Sequence, residues 1–86
     1  MTLHQICGFN PAIIEQMLAA CSATDEFLFV GDGLSLLNLW QGTARYRISD
    51  AESRGIQSSL PAAAIGLNDK EWVELTLTYD RVITWH

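Results

Sequence analysis

Cationic side chains are scarce in this sequence. Five lysines and arginines stand against ten aspartates and glutamates, for a formal net charge of −5 over 86 residues. Gripping a phosphate backbone takes a basic patch or stripe, and none is visible, which argues against direct nucleic-acid binding. Cysteine is equally sparse. Cys7 and Cys21 lack the C-x-x-C spacing of a metal or redox site, and His4 and His86 lie at opposite ends of the chain, so no metal is expected. Gly31-Asp32-Gly33 lacks the remaining glycines of a dinucleotide fingerprint, so no cofactor is expected either. No serine–histidine–carboxylate set can be read. No apolar run is long enough to span a bilayer, and nothing resembles a secretory leader. A cytoplasmic location is therefore expected, with both cysteines as free thiols. Repeats, low-complexity segments and linkers are also absent, which leaves one domain over residues 1–86.

What is present is apolar. Hydrophobic residues make up 49% of the chain and charged residues 17%, a thin charged surface for a solitary small domain. The chain carries three tryptophans, a residue enriched at interfaces. Trp40 closes a short Leu-rich segment and is the interface candidate. Trp72 and Trp85 are expected in the core. The segment Glu26-Phe27-Leu28-Phe29-Val30 runs apolar without polar alternation. That pattern fits a central strand buried on both faces of a parallel sheet. Asp32 follows at its carboxyl end, where open α/β sheets place their sites.

Along the chain, residues 1–6 fit a first strand. Asn10-Pro11 opens a helix over residues 11–22, with Asn10 as cap and Ile13, Ile14, Met17, Leu18 and Cys21 at helical spacing. After residues 23–25 comes the central strand, then a second helix from about Leu34 to Trp40, ended by Gly42. Asp32 is expected to cap that helix rather than to position a ligand. Residues 44–48 read as a third strand. Ser49 with Glu52 has the capping-box pattern, starting a helix that Gly55 cuts short. Residues 57–61 read as a loop and 62–65 as a brief fourth strand. The last third is ambiguous. Val73, Leu75, Leu77 and Tyr79 alternate with polar residues, which predicts a strand turning at Asp80-Arg81 into residues 82–85. Asn68 with Glu71 three residues on predicts a helix instead. A parallel sheet needs such a crossover.

Several short segments, in order, resemble the DsrH/TusB family of sulfur-relay proteins. They are Leu3-His4, Asn10-Pro11, Asp32-Gly33, then Tyr46, Asp50 and Arg54-Gly55. The strongest piece is Trp72-Val73-Glu74-Leu75-Thr76, followed by Asp80, Val82 and Trp85. The resemblance implies a small DsrE-like three-layer α/β fold. Its sheet has about four to five mostly parallel strands with helices on both faces. Residues 69–78 are then helical and the chain ends in a strand. The resemblance also implies that the chain is a non-catalytic subunit beside DsrE/TusD-like and DsrF/TusC-like partners. Such complexes pass persulfide sulfur toward tRNA wobble 2-thiouridine, or handle sulfur in sulfur oxidation. The acceptor cysteine belongs to the DsrE/TusD-type partner. Where some relatives carry a cysteine in the first helix, Met17 stands here, with Cys21 one turn on.

The alternative is that this chain is itself a sulfurtransferase-type enzyme, carrying persulfide on Cys7. A thiolate needs access and a lowered pKa, as near a helix N-terminus or a cation. Cys7 precedes the first helix and is the better placed of the two. His4, three residues earlier in a strand, points to the opposite face, so a Cys–His pair is not expected. Cys21 is expected to be structural. Asp69, Glu71 and Glu74 read as a solvated helix face. Without its partners the chain is expected to self-associate through exposed apolar surface.

Overall fold

Glu26–Phe29 forms the middle strand of the sheet, and the remaining elements are arranged around it. The computed structural model describes residues 2–22, 24–40, 43–56, 59–61 and 63–86. In chain order the elements are β1 (Thr2–Ile6), α1 (Ala12–Ala20), β2 (Glu26–Phe29) and a 3-10 helix (Gly31–Leu39). There follow β3 (Ala44–Arg47), α2 (Ile48–Arg54), β4 (Ala64–Leu67), α3 (Asp69–Thr78) and β5 (Arg81–Trp85). The sheet has the order β4-β3-β2-β1-β5, and every pairing is parallel.

Chain direction decides what covers each face. The steps from β1 to β2, β3 and β4 all move one way across the sheet. Right-handed crossovers then put α1, the 3-10 helix and α2 on one face. The step from β4 to β5 returns across the sheet and puts α3 alone on the other. The buried clusters follow this division. Ile6 and Phe29 pack with Ile13 and Met17 of α1, Leu34 and Leu37 of the 3-10 helix and Ala51 of α2. Leu3, Leu28, Val30 and Leu67 lie under Trp72, Leu75 and Tyr79. Alternation along β2 supplies both cores, since Leu28 and Phe29 point to opposite faces. The result is the expected three-layer α/β arrangement.

Local expectations fail at several places. The Leu-rich segment is a 3-10 helix and starts at Gly31, three residues before Leu34. Its buried residues Gly33, Leu34, Leu36 and Leu37 fall into rows of spacing three, the period of that helix. Nine residues at a rise of about 2.0 Å also reach about 16 Å, the length of a short strand. An α-helix of the same residues would reach only about 12 Å. The second failure is the Ser49–Glu52 capping box. The helix begins at Ile48, directly after β3, so Ser49 lies inside it and no side chain caps the start. Third, β4 lies at 64–67, two residues later than expected. α1 is shorter than expected, with Pro11 at its cap and Asn10 Oδ1 accepting from the Ala12 N–H at 3.1 Å. Gly55, at φ +65°, closes α2. Met1, Ala23, Gly42 as helix end, residues 57 and 58 of the loop, and Ala62 lie outside the described residues.

The ambiguity in the last third resolves as helix then strand. Asn68 Oδ1 accepts from the Glu71 N–H at 2.8 Å, and Glu71 Oε1 accepts from the Asn68 N–H at 3.0 Å. This is a complete capping box. No residue of α3 is fully buried, so its start depends heavily on that box. Asn68→Ala is expected to lower unfolding free energy by about 1 kcal/mol. The midpoint of thermal unfolding should fall by about 4–8 °C, as read by circular dichroism. An unchanged midpoint would show that packing alone holds α3.

Candidate functional site

β1 is the only strand with β2 on one side and β5 on the other, and its His4 ring is 1% exposed. Nδ1 accepts a hydrogen bond from Trp85 Nε1–H at 3.0 Å. An indole N–H can only donate, so Nδ1 carries no proton and Nε2 carries it. Nε2–H therefore donates to Asp25 Oδ2, 2.7 Å away. The same carboxylate accepts from the N–H of Thr2 at 3.0 Å and of Ser22 at 3.1 Å, and from the Ser22 hydroxyl at 3.0 Å. The His4 hydrogen bond does most to hold the Asp25 carboxyl well below the usual carboxylate range. Burial acts in the opposite direction, and the Ser22 and Thr2 groups add to the lowering. Serine, histidine and aspartate meet here, yet both Ser22 and His4 donate to Asp25. The remaining imidazole lone pair is taken by Trp85, so no base faces the hydroxyl. The cluster is structural, not a nucleophilic triad.

Among the described residues the surface also holds concavities, two of which contain Asp32 and Trp40. The first lies at the carboxyl ends of the central strands and has a volume of about 350 Å³. Phe9, Asp32, Ser35, Arg54 and Ile56 line it. Arg54 Nη2 donates to Asp32 Oδ1 at 3.0 Å. Asp32 is thus bound to α2 and does not cap the 3-10 helix. Capping falls instead to Asp50 of α2, whose Oδ2 accepts from the Gly31 N–H at 2.9 Å. The turn itself needs glycine twice. Gly31 has φ +54°, and a Cβ at Gly33 would lie 2.0 Å from the carbonyl oxygen of Ile6.

The second concavity, of about 360 Å³, lies between α1 and the 3-10 helix. Ile14, Leu18, Leu39 and Trp40 line it, and Leu18 and Leu39 are more than half exposed. Trp40 is half-buried. Its ring centroid is 4.4 Å from that of Phe27, and its Nε1–H donates to the Thr43 carbonyl at 3.4 Å. It joins the core by one side and lines the groove by the other. Trp72 and Trp85 are half-buried as well and pack on opposite faces of the sheet.

The thiols are not part of either concavity. Cys7 is half-buried against the Leu3–Leu28 cluster, on the face that carries α3. α1 lies on the other face, so the Cys7 side chain is directed away from that helix. Its Sγ has one polar neighbour among the described residues, Gln5 Nε2 at 3.8 Å. Cys21 caps the end of α1, and its Sγ donates to the Leu18 carbonyl at 3.6 Å. Met17 is fully buried. Glu71 and Glu74 are exposed, and so is Asp69, which pairs with Arg47 at 3.0 Å. Among the described residues no group of three or more histidines, cysteines or carboxylates is arranged to hold a metal. None of the described helices is long and apolar enough to cross a membrane.

Sequence reasoning missed the His4–Asp25–Trp85 network and the role of Asp50. The partners lie 21 and 81 residues from His4, beyond the reach of any local pattern. In comparisons with known proteins, no protein-family model and no curated protein matches this chain.

Asp25 sets an acid limit on stability. Its folded pKa lies below the unfolded value of about 3.9, so its contribution is complete above about pH 4 and fades as pH falls below that. Asp25→Asn is expected to cost about 1–3 kcal/mol at pH 7, by leaving buried donors unpaired. At pH 3 the gap between variant and parent should narrow. Urea unfolding at the two pH values checks this; a gap that widens in acid would overturn it.

Proposed function

We propose that this chain is a non-catalytic subunit of a heteromeric sulfur-relay assembly. It acts beside DsrE/TusD-like and DsrF/TusC-like subunits that carry the reactive cysteine chemistry. The assembly passes persulfide sulfur toward wobble 2-thiouridine in tRNA or serves sulfur oxidation. One observation carries the reading. The segment Trp72-Val73-Glu74-Leu75-Thr76, the strongest piece of the resemblance, is helical and leads into a terminal parallel strand. Local alternation points to a hairpin there and the Asn68–Glu71 pair to a helix, and the resemblance implies the helix-then-strand order that is seen. Further support comes from the thiols. Neither cysteine has a cationic or imidazole partner among the described residues, as a relay thiolate would need. The groove beside Trp40 supplies an apolar surface for a partner subunit.

Co-expression with a DsrE/DsrF-type pair tests the reading. A stable ternary complex is expected. Trp40→Ala should weaken it by more than ~1 kcal/mol, roughly a factor of five in dissociation constant. Cys7→Ser and Cys21→Ser should leave persulfide transfer by the assembled complex unchanged. Loss of transfer in Cys7→Ser, with assembly intact, would make this chain a persulfide carrier. Failure to bind any such pair would remove the reading.

A further inference from the structure

β5 is an edge strand, and among the described residues its outward side is unpaired. The Trp85 carbonyl accepts from the Cys7 N–H at 2.8 Å, so the main-chain groups of Trp85 point toward β1. The register His4↔Ile83 and Ile6↔Trp85 fits the same orientation for Ile83. By alternation, the N–H and C=O of Val82 and Thr84 point away from the sheet. Among the described residues neither residue's main chain has a hydrogen-bond partner outside the ladder. Proteins blunt such edges with proline, lysine, glycine or shortness. β4, at the other edge, has four residues and includes Gly66. β5 has five, Arg81-Val82-Ile83-Thr84-Trp85, with no glycine, proline or lysine among them.

We propose that a second copy of this chain pairs with the outer edge of β5. The pairing is antiparallel, about a two-fold axis at Ile83, and merges the two sheets into one. The strand is complementary to itself in this register. Val82 faces Thr84 of the second copy, and the two exchange both main-chain hydrogen bonds through their outward groups. Ile83 faces its own counterpart. Arg81 faces Trp85 of the second copy, in the non-hydrogen-bonded position where side chains come closest. A guanidinium there meets an indole face. Arg81 is the strand's one charged side chain, and it forms no ion pair among the described residues. The symmetry sets the two arginines at opposite ends of the pair, so like charges do not meet. Val82, 40% exposed on the α3 side, is covered by the new strand. This surface is separate from the groove beside Trp40, so the inference does not depend on the proposed function.

Light scattering over a dilution series of the 86-residue chain is expected to show a concentration-dependent dimer. Thr84→Pro removes an outward N–H and no β1–β5 hydrogen bond, so the dimer should be lost with the far-ultraviolet circular dichroism unchanged. Arg81→Ala should raise the dissociation constant about two- to five-fold, and Trp40→Ala should leave it unchanged. In a Cys7→Ser, Cys21→Ser background, Ile83→Cys should crosslink under mild oxidation and Val82→Cys should not. The crosslink decides the matter even where Thr84→Pro fails to fold. A chain monomeric at every concentration, a dimer that survives Thr84→Pro, or an Ile83→Cys variant that never crosslinks overturns the proposal.

Discussion

The hydrogen-bonded ring of His4 is the contact on which the rest of the sheet depends. It accepts from Trp85 at the end of the chain and donates to Asp25 just before β2, so one buried side chain ties together three adjacent strands. The ring also stacks. Its centroid lies 5.3 Å from that of Phe27 and 6.1 Å from that of Trp85, and Phe27 in turn packs on Trp40. A row of rings thus crosses one face of the sheet, from β5 through β1 and β2 to the rim of the apolar groove. Buried polar contacts of this kind specify a fold only when every member is satisfied. Among the described residues no buried side-chain nitrogen or oxygen lacks a partner.

Much of the fold was legible because several signals agreed. The unbroken apolar run at β2 implied a strand covered on both faces, and the paired polar residues at Asn68 and Glu71 marked α3. The alternation at Val73, Leu75, Leu77 and Tyr79 pointed the other way for a simple reason. Residues 75 and 79 share one side of a helix and 73 and 77 another, so the same set satisfies a period of two and a spacing of four. Leu75 and Tyr79 pack on the sheet, while Leu77 is 79% exposed. The capping pattern at Ser49 misled because α2 starts without any loop after β3. Starting there brings Asp50 to the Gly31 N–H, a contact that no sequence window contains.

The site was less legible than the fold. Proximity in sequence linked Cys7 to α1, but strand alternation sent its side chain to the opposite face. Asp32 was correctly placed at the carboxyl edge of β2, yet its partner is Arg54, contributed from α2. Composition and position single out Trp40 as an interface candidate. Its double role, core on one side and groove on the other, required knowing that α1 and the 3-10 helix lie on the same face. In each case the missing information was topological: which loops meet at the strand ends, and which helices share a face.

The distribution of chemistry over the molecule bears on what it does. The one buried histidine has both ring nitrogens occupied, and the hydroxyl beside it donates to the same carboxylate. Arg45, Arg47 and Arg54 are each paired with carboxylates, and Arg47 also lies over the Trp72 ring at 4.6 Å. These polar groups therefore hold strands and helices together. Large apolar side chains also stay exposed: Leu18 and Leu39 beside the groove, Leu77 on α3, Val82 at the sheet edge. Association requires apolar surface and free main-chain edges. The described residues of this chain offer both, at the groove beside Trp40 and along the outer edge of β5.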